Sequence, residues 1–104
     1  MVKVISIMKR KEGMSIEDFR HWVLEEHCQI GAQFPKIRRY VVSAVLPEYA
    51  DGPYDAVNEL YFDTYEDFLA ALNSEAGALA GPDIKAHCSE DRFRMVTEEK
   101  VIVE

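Results

Sequence analysis

Residues Ser15–Phe34 read SIEDFRHWVLEEHCQIGAQF. At about 100° per residue, Ile16, Phe19, Trp22, Val23, Ile30 and Phe34 fall on one face, so the stretch predicts an amphipathic helix with one side packed inward. Ser15 caps it, and Asp18 three residues on makes a short-armed capping box. Gly31 and Pro35 end it. His27 falls on the edge of the apolar face, one turn after Val23 and one before Ile30. An imidazole facing an apolar interior is either a satisfied core residue or an acid–base group beside a pocket.

Working outward, Val2–Arg10 is an apolar strand closed by the turn Lys11-Glu12-Gly13. Ile37–Leu46 is β-branched and aromatic and reads as a long second strand, stopped by Pro47. Glu48–Pro53 is a connection, and Tyr54–Phe62 is a third strand. Thr64 opens a second helix, again with an acid, Asp67, three residues later. Its stripe is Tyr65, Phe68, Leu69, Leu72, Ala76 and Leu79. Gly77 and Gly81 weaken its end, and Pro82 stops it. Asp83–Ser89 reads as a short helical turn. Arg92–Val103 is a last strand, bulged where Thr97-Glu98-Glu99 breaks the alternation.

The order β-α-β-β-α-β predicts an α+β, ferredoxin-like fold. It has a four-stranded antiparallel sheet with two helices on one face, in a single domain over residues 1–104. In the second strand Arg38, Tyr40, Val42, Ala44 and Leu46 form one face and Ile37, Arg39, Val41, Ser43 and Val45 the other. Neither is cleanly polar, as a solvated sheet face should be. The side without helices then needs cover, and a second copy's sheet supplies it, which predicts a homodimer through the sheet faces.

The 12 basic and 19 acidic residues leave a net charge of −7, which excludes the basic footprint that nucleic-acid binding requires. No apolar stretch approaches membrane-spanning length, so no membrane partner is expected. The opening MVKVISIMKRK reads as a strand rather than a leader, and two cysteines are too few for a disulfide framework. The expected setting is cytoplasmic, with free thiols. Glycine-rich phosphate loops, nucleotide fingerprints and nucleophile elbows are absent, so no cofactor is expected.

The chain resembles the EthD-like family of the dimeric α+β barrel superfamily, related to methylmuconolactone methylisomerase-type proteins. The likeness rests on VKVISIMKRKEGMSIEDFRHW, the helix ending EEH at His27, KIRRYVV, PYDAVNELYFDTYEDF and the closing RFRMVTEEKVIV. It implies two ferredoxin-like subunits pairing their sheets into a barrel, with a pocket in each between sheet and helices. The methylisomerase type is similar in placing a histidine at the position of His27 and a tyrosine at that of Tyr40. Where many EthD-like sequences have a proline two residues after the histidine, this one has Gln29.

The candidate site follows from these residues. His27 is the candidate general acid or base; the alternative is a core histidine donating to a backbone carbonyl. Tyr40 is the candidate that holds or polarises a substrate oxygen; the alternative is a buried tyrosine whose hydroxyl reaches the rim. Trp22, Tyr61 and Phe93 are candidates for an aromatic lining, against plain core packing. Asp55, together with Glu59, is either a member of a salt-bridge network with arginines on other strands or a second acid at the site. Glu26, within the apolar arc, shares that ambiguity. Adjacent residues on a helix diverge by about 100°, so His27-Cys28 cannot both face one ion and no metal site is expected.

The leading expectation is a cofactor-free acid–base enzyme of small-molecule metabolism, an isomerase, cyclase or lyase acting on a small apolar carbonyl, lactone or aromatic compound. One alternative is an auxiliary oxidoreductase of the monooxygenase kind in the breakdown of a small organic compound, with His27 as haem ligand or oxygen-handling base. Another is a non-catalytic module that binds a small ligand.

Overall fold

The computed structural model describes residues 1–104. β1 (Val2–Met8) leads into α1 (Ile16–His21), which continues without a break as a π-helical run over Trp22–His27 and then as α2 (Cys28–Gly31). β2 (Arg39–Ala44), a 3₁₀ turn (Pro47–Tyr49) and β3 (Ala56–Phe62) follow. α3 (Tyr65–Leu72), α4 (Glu75–His87) and β4 (Phe93–Thr97) complete the chain. The sheet is antiparallel in the order β2-β3-β1-β4, as the ferredoxin-like reading expects. No helix is long and apolar enough to cross a membrane.

Both expected caps form: Ser15 Oγ accepts from the Asp18 amide and Thr64 Oγ1 from the Asp67 amide. The register gives the sheet two distinct faces. Tyr40–Leu60–Val4–Val96 and Val42–Asn58–Ser6–Arg94 run as cross-strand rows on the face toward the helices. Ser43–Val57–Ile7–Phe93 and Val41–Glu59–Ile5–Met95 run on the other. The inner face carries two packed clusters, one around Val4, Leu60, Phe62 and Phe68 and one around Met8, Phe19, Trp22 and Val23.

Three local expectations are corrected. The second helix is two helices: it breaks at Asn73, and Ser74 restarts it by accepting from the Gly77 amide. Pro82 then sits inside α4 rather than ending it. The last strand stops at Thr97, because its partner β1 runs out: Thr97 already pairs with Lys3, and nothing of β1 remains beyond Val2. Val101, Ile102 and Val103 are exposed. Glu26, expected in the apolar arc, is exposed and lies 3.6 Å from His21.

Candidate functional site

Between the helices and the inner sheet face lies a cavity of about 290 Å³, close to the lower bound of small-molecule sites. Val4 and Ser6 of β1, Tyr40 of β2, and Asn58 and Leu60 of β3 form its floor. His27, Phe34, Phe68 and Ile84 form the helical side, and Lys85, Arg92 and Arg94 complete the rim.

His27 is only 5% exposed. Its Nδ1 lies 2.8 Å from Oδ2 of Asp83. A carboxylate can only accept, so Nδ1 carries the hydrogen and the lone pair of the neutral ring sits on Nε2. Every buried side-chain nitrogen and oxygen has a partner. Nε2 makes no bond within the protein, and His27 lines the cavity.

The π-helical run explains why this pair forms. On an α-helix, residues five apart diverge by about 140°. In a π turn the i and i+5 positions come onto one side. Trp22 and His27 therefore stand together, with ring centroids 4.8 Å apart, and both reach the same carboxylate. The Trp22 indole Nε1–H donates to Asp83 at 3.1 and 3.2 Å. On its other side Trp22 meets His87, with centroids 4.5 Å apart and planes 16° off parallel. His87 Nδ1 in turn donates to the Asp83 carbonyl oxygen at 2.8 Å. Asp83 is thus fixed by donors from the first helical segment, and its backbone by its own helix.

Tyr40 faces the helices. Its ring lies against Gly31, where an added Cβ would stand 2.6 Å from Cε2. Gly31 follows His27 by four residues, one turn on, so the phenol is brought to the histidine wall. The Tyr40 O–H donates to Asn58 Oδ1 at 3.0 Å. Burial, with the Cys28 thiol a lesser cause, holds the phenol above its ordinary range. Tyr40 is therefore a neutral hydrogen-bonding group, not a base.

The other sequence candidates lie elsewhere. Trp22 stands behind His27 and orients Asp83 rather than lining the cavity. Tyr61 is on the opposite sheet face, between Lys3 and Arg39, and donates to Glu99 at 2.7 Å. Phe93 is on that face too, 55% exposed, with its ring edge-on to Tyr54. Strand parity puts both on the outer face, because they pair with Lys3 and Ile7. Asp55 is buried just before β3 and takes the Arg10 guanidinium at 3.0 Å and the Arg10 amide at 2.9 Å. Its partner is thus Arg10, not the strand arginines, and it lies outside the cavity. Cys28 turns its thiol to the Leu24 carbonyl. Cys88 is buried against Met8, and burial pushes its thiol up to about 12.

Four cavity-side residues escape a reading of the sequence alone. Asp83 follows Pro82 and so reads as the start of a separate short helical turn, whereas it belongs to a helix running through that proline. Asn58 carries a usable signal: it is the polar member of the buried alternation Ala56, Leu60, Phe62. Arg92 and Arg94 suggest only ion-pair partners for acids on other strands.

The fold and the site together define a ferredoxin-like α+β protein with a carboxylate-oriented histidine on the wall of a small, partly apolar cavity. The chain belongs to the EthD family, whose domain model matches residues 11–91. It is similar in structure to an ethyl tert-butyl ether D (EthD) family protein from Bacillus halodurans C-125, with TM-score 0.79 and 22% identity, covering 96% of this chain and 99% of that one. It is also similar to a dimeric ferredoxin-like protein of unknown function from Thermobifida fusca YX, with TM-score 0.75, 20% identity and coverage of 92% and 88%. A third likeness is to SnoaB, a cofactor-independent oxygenase from Streptomyces nogalater, with TM-score 0.71, 13% identity and coverage of 99% and 97%. No curated protein sequence matches the chain.

Proposed function

We propose that this EthD protein is an acid–base enzyme acting, without a bound cofactor, on a small carbonyl, lactone or aromatic compound. The observation that carries the reading is the Asp83–His27 pair, whose ring lines the cavity with Nε2 unengaged by the protein. Nε2 takes a proton from a carbon or hydroxyl adjacent to the substrate carbonyl and returns it at a second position. Asp83 stabilises the imidazolium formed on the way. The Tyr40 phenol, backed by Asn58, holds the substrate oxygen on which charge develops. Isomerisation, cyclisation and elimination all use this sequence of proton movements. A positioned base of this kind contributes about 10²–10⁴-fold.

The test works without identifying the product. Across a panel of small ketones and lactones in D₂O, the wild type is expected to exchange the protons next to the carbonyl of its ligand, read by proton NMR. His27→Gln should abolish that exchange while leaving the circular dichroism spectrum unchanged. Exchange that survives means the base lies elsewhere; binding without any exchange favours a ligand-binding module. The second reading is a cofactor-independent oxygenase, in which the same proton abstraction primes the substrate for O₂. It is favoured by the likeness to SnoaB, and substrate-dependent oxygen uptake distinguishes it.

The protein is further proposed to work as a homodimer through the outer sheet face. Phe93 and Met95 are half-exposed there, beside Ile5, Ile7, Val41 and Val57. Both neighbouring rows are thus largely apolar, and Phe93 and Met95 leave part of them in water. Two of the similar structures are described as dimeric ferredoxin-like proteins. Sedimentation equilibrium is expected to give twice the 11.9 kDa chain mass, and Met95→Lys to shift it toward the monomer. A monomeric wild type at micromolar concentration would end this assignment.

A further inference from the structure

Ionisable groups are unevenly placed around the cavity. The protein is strongly acidic, with net charge −7, yet Lys85, Arg92 and Arg94 line the cavity and no aspartate or glutamate does. None of these three cations belongs to an ion pair within the chain. Asp83, the nearest acid to the site described above, is already occupied by Trp22 and His27. Arg94 is held in place: its guanidinium lies 5.3 Å from the Phe68 ring centroid, and its backbone is paired with Ser6 of β1. Arg92 stands two residues earlier, just before β4, and lines the same cavity. Beside them Phe34, Leu60, Phe68 and Ile84 supply an apolar body.

Unpaired guanidinium groups facing an apolar hollow match an organic anion. A planar carboxylate accepts from an arginine fork in two parallel hydrogen bonds. We infer that the cavity takes a small organic carboxylate, its acid group held by Arg92 and Arg94 at the β4 edge and its apolar body turned inward toward His27. The inference rests on the cavity being the substrate site and narrows its ligand to an acid. Lys85 adds positive charge at the rim. Because the arginines are solvent-exposed, the attraction is screened by salt.

Isothermal titration calorimetry with 2-naphthoate and the isosteric, uncharged 2-naphthamide tests this. Wild type is expected to bind the naphthoate about tenfold or more tighter, with the preference shrinking at high salt. Arg92→Gln and Arg94→Gln should each reduce the preference and the double variant should remove it, while naphthamide affinity stays put. His27→Gln should keep the preference. Equal binding of the two probes to wild type, no naphthoate binding, or a preference that survives the double variant overturns the inference. These outcomes are separable from the proton-exchange test. An arginine-dependent preference without His27-dependent exchange keeps the anion site and removes the base, and exchange without the preference does the reverse.

Discussion

Asp83→Asn is expected to lower turnover by about 10²–10⁴-fold while the protein still folds and binds its ligand, because a neutral amide no longer stabilises the imidazolium that His27 forms. In the native protein the carboxylate accepts from both Trp22 Nε1 and His27 Nδ1. Oδ2 takes both of these bonds, so an asparagine with its oxygen at that position still accepts from the indole and from the imidazole and keeps the same tautomer. What it removes is the negative charge beside the ring, which the imidazolium formed during proton transfer needs. ¹⁵N NMR of the imidazole separates this from a merely structural effect: wild type and Asp83→Asn should both show the hydrogen on Nδ1. Full activity in Asp83→Asn, or lost activity with the fold or the ring tautomer changed, would mean that Asp83 does not act by stabilising the charged His27.

The fold is legible in the sequence because its signals are local and repeated. Ser15 and Thr64 cap as their sequence contexts predict, and the alternation Ala56–Phe62 assigns the buried face of β3 directly. The resemblance to EthD-like proteins points to His27 and Tyr40, and both line the cavity. What stays hidden depends on departures from ideal geometry. A 3.6-residue period sets His27 at the margin of the apolar stripe and Glu26 inside it. The π turn rotates the register, so Trp22 and His27 align and Glu26 faces water. Pro82 reads as a stop, yet a helix restarted at Ser74 passes through it and delivers Asp83 to the histidine. Aromatic residues suit a cavity lining, but strand parity sends Tyr61 and Phe93 to the outer face. The buried acid that the sequence does single out, Asp55, is neutralised by Arg10, a residue 45 positions away that no periodicity links to it.

The restart that delivers Asp83 depends on a single glycine, and Gly77→Ala is expected to destabilise the protein by about 2–4 kcal/mol. At Gly77 a Cβ would overlap the Leu72 carbonyl oxygen and stand 2.5 Å from that of Ala71. Both are backbone atoms at the end of α3, so no side-chain rotation relieves the clash. The Ala71 carbonyl also accepts from the Ser74 amide and hydroxyl, and Ser74 Oγ in turn accepts from the Gly77 amide. Pushing α4 away from α3 therefore breaks the cap and the turn together. For a chain of this size the cost corresponds to a fall in melting temperature of about 10–25 °C, measured by calorimetry. Gly81 is the internal control. It lies on the same helix, one turn on, but a Cβ there meets nothing within 4 Å. Gly81→Ala removes unfolded-state freedom without strain and should stabilise by about 0.4–1 kcal/mol. Opposite signs at the two glycines would tie the position of α4, and with it Asp83, to the Leu72–Gly77 contact. Equal, small effects at both would show that the helix break tolerates a side chain and that another contact sets where α4 begins.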